Sequence, residues 1–123
     1  MELNLDHAHL FASDIDETIA FWQAMFGATV EWDQEAAGVR NVRLSVGRGA
    51  IHLYDQAPRH EGAGSVHHLG IETEDLDALV AHMQTRGFQF RKPISEQPTF
   101  RYVMVAAPDN VLVELFQTRR GPG

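Results

Sequence analysis

Cysteine is absent from the 123 residues, which excludes a disulfide framework, a thiolate metal ligand and a cysteine nucleophile together. No apolar run is long enough to span a bilayer, and no basic segment followed by an apolar stretch opens the chain. A cytoplasmic location with no membrane partner is therefore expected. Positive charge is also scarce. Ten Lys and Arg against 17 Asp and Glu give a formal net charge of −7, the wrong sign for a surface that binds phosphate backbones, so no nucleic acid is expected as a partner. The remaining composition, 44% hydrophobic and 22% charged, is ordinary for a globular chain the size of one domain or of two small modules sharing a core. Histidine is in mild excess, with seven copies.

Residues 4 to 12 predict a strand with Ala8, Leu10 and Ala12 on one face and His7, His9 and Phe11 on the other. Ser13 or Asp14 can cap the helix that follows, whose apolar positions Ile15, Ile19, Trp22 and Phe26 keep helical spacing until Gly27. Strands are expected over 28–33, 40–46 and 49–55, with turn residues between them. Residues 56–64 have loop composition and read as a linker. The plan then recurs: a strand over 66–73, a helix over 75–86 ended by Gly87, and strands over 88–91, 100–106 and 111–117. In the first of these, alternation turns His68 away from the side of Leu69 and Ile71, and His67 the opposite way.

The repeat can be counted. Asp14-Ile15-Asp16-Glu17-Thr18-Ile19 matches Asp75-Leu76-Asp77-Ala78-Leu79-Val80 at an offset of 61 positions, and the same offset carries His7 onto His68. His52 lies 45 positions after His7, and Glu114 lies 46 after His68. The expected fold is α+β: two βαβββ modules, about 4–55 and 65–118, making a single domain over 1–123 whose curved mixed sheets enclose a metal cleft.

His7, His52, His68 and Glu114 would then meet as three imidazoles and one carboxylate, a donor set for Zn, Ni, Co, Mn or Fe(II) among which softness alone does not choose. One strand histidine by itself is more often a structural residue than a ligand. Equivalent placement in a repeat is what favours ligation here. Glu114, between Val113 and Leu115 in an apolar strand, is costly to bury without a cation. Beside these, His9 shares the face of His7 and is a candidate substrate contact. Asn41 and Arg43 alternate onto the cleft side of their strand, where Arg43 suits a carboxylate or phosphate. Tyr102, with Phe100 and Met104, is a candidate for the cleft wall.

His7 to Asp14, Phe21-Trp22 and Phe26-Gly27, then Val66-His67-His68-Leu69-Gly70-Ile71-Glu72, then Val111-Leu112-Val113-Glu114-Leu115, resemble the vicinal oxygen chelate superfamily over roughly residues 4 to 117. That superfamily includes glyoxalase I, methylmalonyl-CoA epimerase, extradiol dioxygenases and fosfomycin-resistance proteins, and the wording is nearest the epimerase and glyoxalase I. Two departures stand out: His52 takes a place that is Glu or Gln in four-ligand members, and Ala107-Pro108-Asp109-Asn110 replaces a common Asp-Pro-Asp-Gly. Asn110 can still adopt the left-handed turn conformation.

The resemblance implies a small-molecule substrate, a homodimer and a divalent metal that chelates neighbouring substrate oxygens. A glyoxalase-like lyase or an isomerase moving a proton through an enediolate is the leading expectation. Glu114 is the natural general base. Glu35 is a second candidate, because Gln34-Glu35-Ala36-Ala37-Gly38-Val39 weakly resembles the epimerase segment that carries its second acid. Two alternatives stay open, an Fe(II) extradiol-type dioxygenase and a metal-free binding protein of the bleomycin-resistance kind.

Overall fold

The computed structural model describes residues 1–2, 4–36, 38–59 and 66–119. The chain divides after Arg59 into two compact units. The linker expected over 56–64 lies partly outside the described residues.

In the first unit, β1 (His7–Ala12) leads into α1 (Ile15–Phe26), followed by β2 (Thr29–Ala36), β3 (Val39–Val46) and β4 (Gly49–Asp55). They form a mixed sheet of order β1-β4-β3-β2, in which β1 runs parallel to β4 and the other pairs are antiparallel. The second unit repeats this with β5 (Leu69–Glu72), α2 (Leu76–Thr85), β6 (Ser95–Glu96), β7 (Phe100–Ala107) and β8 (Val111–Thr118), ordered β5-β8-β7-β6. The expected α+β class and the two-module repeat are both present. Among the described residues, no helix is long and apolar enough to cross a membrane.

Both helices start the same way. Asp14 Oδ1 accepts from the Glu17 N–H at 3.1 Å, and Asp75 Oδ1 accepts from the Ala78 N–H at 3.0 Å, each filling a donor that the first turn leaves open. Gly27, at φ 67°, closes α1 in the left-handed conformation. Each helix lies against the last strand of its own sheet. Behind α1 the core is Ile15, Ile19, Trp22, Val42, Leu44 and Leu53; behind α2 it is Leu76, Met83, Val103, Val105, Val113 and Leu115. A surface clamp recurs with them: Arg40 bridges Asp16 of α1 and Asp33 of β2, while Arg101 bridges Asp77 of α2 and Glu96 of β6. Arg40 and Arg101, like Asp16 and Asp77, are 61 positions apart.

Four boundaries differ from expectation. β1 begins at His7 rather than Asn4, because its parallel pairing starts where His7 meets Ala50. β2 runs on to Ala36, so Glu35 lies in a strand. The strand expected over 66–73 shortens to Leu69–Glu72, whose pairing to β8 starts at Val113, and His67 and His68 precede it. No strand forms over 88–91. Pro93 lacks a ladder donor and restricts Lys92, and the sheet resumes only at Ser95. At the final hairpin Asn110 does take positive φ, 58°, as does Asp109 at 63°.

Candidate metal centre

On the face of the first sheet opposite α1, strand register assembles the side chains in rows. His9 pairs with His52, His52 with Arg43, and Arg43 with Trp32, so one row crosses all four strands. Phe11, Tyr54, Asn41 and Gln34 form the next. His7, two residues before His9, stacks on His52 with ring centroids 3.5 Å apart and planes 10° from parallel. His7, His9 and His52 each offer a ring nitrogen, all within 4.8 Å of one another. Three imidazoles so placed fit a borderline divalent cation.

Charged neighbours hold this cluster. The His7 Nδ1 lies 2.9 Å from Asp6 Oδ2, and Asp6 also accepts from Arg43 at 2.6 Å. Hydrogen bonds from Arg43 first, and from His7 second, hold the Asp6 carboxyl down to about 2. Arg43 donates further to Glu31 at 2.5 Å, a residue freed by a register shift between Val30 and Trp32, and to the His52 Nε2 at 2.9 Å. Burial, with the nearby charges of His7 and Arg43, lowers the pKa of His52 and favours the neutral ring that a metal requires. Beside the histidines, an open cavity of about 300 Å³ is lined by His9, Leu10, Phe11 and Tyr54.

The second unit carries the same register with different chemistry. Gly70 pairs with Glu114 as His9 does with His52, and Glu114 with Met104 as His52 does with Arg43. Opposite Glu114 the backbone lies close to an aromatic ring, since a Cβ on Gly70 would stand 3.3 Å from Phe116, which would have to give way slightly. His68 Nε2 comes within 4.0 Å of Glu114 Oε1, with both side chains partly exposed. The His68 Nδ1 is 2.8 Å from the His67 Nδ1. His67 therefore contacts His68 instead of pointing away from it, because both lie ahead of the strand and alternation does not govern them.

The predicted residues thus fall into two groups, His7, His9 and His52 in the first unit and His68 and Glu114 in the second. Others land elsewhere. Asn41 is buried and donates to the carbonyl of Val39 at 3.2 Å. Arg43 is engaged by Asp6, Glu31 and His52. Tyr102 stacks against Phe100 at 5.6 Å. Glu35 pairs across from Arg40, whose partner Asp16 lies on α1, so register puts Glu35 on the helix side, away from the histidines. Sequence reasoning overlooked Asp6, Glu31 and Trp32 and turned His67 away from His68, although the 61-residue offset relates Asp6 to His67.

Two βαβββ units with imidazole and carboxylate donors at matching positions define a recognisable class. The Glyoxalase/Bleomycin resistance protein/Dioxygenase superfamily matches residues 4–115, and the chain belongs to that family. No curated protein matches it. Solved structures with the same fold include a glyoxylase/bleomycin resistance protein/dioxygenase domain from Frankia sp. EAN1pec, 19% identical over 99% of this chain and 96% of that one, with a TM-score of 0.84. The fosfomycin resistance protein FosX from Listeria monocytogenes is 20% identical over 95% and 94%, with a TM-score of 0.79, and has also been solved with Mn(II) and sulfate. TnmS3, an antibiotic binding protein from Streptomyces sp. CB03234, is 22% identical over 97% and 99%, with a TM-score of 0.78.

Proposed function

We propose that this chain is a divalent-metal-dependent enzyme acting on a small carbonyl substrate as a glyoxalase-like lyase or an isomerase, and that it works as a homodimer. His7 and His52 from the first half and His68 and Glu114 from the second are its protein ligands. The observation that carries this reading is the shared register, which gives His52 and Glu114 the same place in their sheets, each preceded in the repeat by His7 or His68.

When bound, the metal supplies Lewis acidity that makes a proton beside the substrate carbonyl easier to remove. Glu114 accepts that proton through a carboxylate oxygen and returns it. His9 contacts the substrate. Arg43, whose charge is met by Asp6 and Glu31, braces the His52 ring. Phe11 and Tyr54 offer an apolar wall.

Metal analysis of the purified chain tests this. Near-stoichiometric metal that falls severalfold in His68→Ala and in Glu114→Gln is the expected result, together with deuterium exchange beside the carbonyl of a 2-oxo substrate. A chain that stays metal-free after reconstitution ends the enzyme reading, and dioxygen uptake with a catechol replaces proton transfer with ring cleavage.

One observation favours a second reading, a metal-free small-molecule binder. The Arg43 guanidinium occupies the Nε2 of His52, beside an aromatic-lined cavity. Tight binding of a planar organic ligand by the metal-free chain would support it.

A further inference from the structure

We propose that Asp6 and His67 are paired positioning residues, each fixing through Nδ1 the ring of the histidine that follows it, so that His7 and His68 present Nε2 to a divalent cation. This rests on the reading of His7 and His68 as ligands.

Two contacts carry the inference. Asp6 Oδ2 lies 2.9 Å from the His7 Nδ1, and the His67 Nδ1 lies 2.8 Å from the His68 Nδ1. Both contacts link neighbours in sequence, both involve the same ring nitrogen of the second residue, and the two pairs are related by the 61-residue offset that relates the helix caps and the arginine clamps. A repeat that keeps the contact while changing the partner from carboxylate to imidazole keeps the geometry, not the residue.

An imidazole free at both nitrogens turns about its outer torsion and alternates between tautomers. Holding Nδ1–H as a donor removes both freedoms and leaves the Nε2 lone pair directed outward. In the second unit that atom is already the one nearest Glu114, 4.0 Å from Oε1. There His68 donates from Nδ1, and His67 accepts as the tautomer that carries its own hydrogen on Nε2. The carboxylate of Asp6 also makes His7 a stronger donor toward a cation, which the neutral His67 ring does to a lesser degree, so Asp6 has the larger effect.

Cobalt(II) titration of the full chain, followed by calorimetry and by the visible ligand-field spectrum, separates positioning from folding. Asp6→Ala and His67→Ala are each expected to weaken cobalt binding by about 10- to 100-fold with the melting temperature of the metal-free protein little changed. Asp6→Asn, which keeps an oxygen acceptor for Nδ1–H, restores most of the affinity. Wild-type affinity in both alanine variants, with binding still lost in His68→Ala, overturns this proposal and leaves the metal reading intact. Failure of the parent chain to bind cobalt overturns both.

Discussion

Asp33 and Arg40 show at the scale of single residues how this surface is held. The Arg40 guanidinium donates to both Asp33 oxygens, at 3.0 and 2.8 Å, and keeps that carboxyl below its ordinary 3.8. A carboxyl whose folded pKa is depressed contributes stability in full above the unfolded value and loses it as pH falls through the folded one. Arg40→Gln is therefore expected to lower the denaturation midpoint at neutral pH, by a small amount fitting an exposed pair, and the gap to the parent should close as pH drops below 3.8. A gap that persists in acid would mean that Arg40 acts through packing. Residue types alone do not reveal such pairings. The alternation of His7 and His9 with Ala8 and Leu10 was legible in the sequence, but the contact of Arg43 with Glu31 depends on a register shift in a neighbouring strand, and its contact with Asp6 joins residues far apart in the chain, neither of which a local pattern encodes.

Elements were legible to the extent that their signals are local. Both helices begin at aspartates, Asp75 and, of the two cap candidates Ser13 and Asp14, the second, and such starts are legible because capping needs only a side chain three residues ahead of a free N–H. Asp14→Ala and Asp75→Ala should each cost about 1 kcal/mol, read from urea unfolding, with similar losses in the two units. Leu53 and Leu115, each following a proposed ligand and each fully buried, are expected to cost about 2–5 kcal/mol on replacement by alanine. A much smaller cost for one of them would show that its core can collapse around the gap. Strand limits were less legible, since a strand ends where its neighbour stops pairing. That is why β5 is only four residues long and leaves His67 and His68 outside the ladder, and why Phe88 and Phe90, apolar and alternating, pack edge-on at 4.9 Å without joining a sheet.

Across the whole molecule, two cores and two sheets share one plan, and assembly is the property that plan leaves to experiment. A homodimer is expected to give twice the 13.8 kDa chain mass by light scattering, unchanged on dilution through the micromolar range; the single-chain mass would remove the dimer from the proposal. Because sequence numbers map from one half to the other at a nearly constant spacing, the molecule contains its own comparison series. A substitution at Asp16 has a counterpart at Asp77, and one at Leu53 has a counterpart at Leu115. Where paired variants behave alike, the architecture sets the demand. Where they diverge, as His9 and Gly70 already do in identity, the difference measures what selection has asked of one half alone.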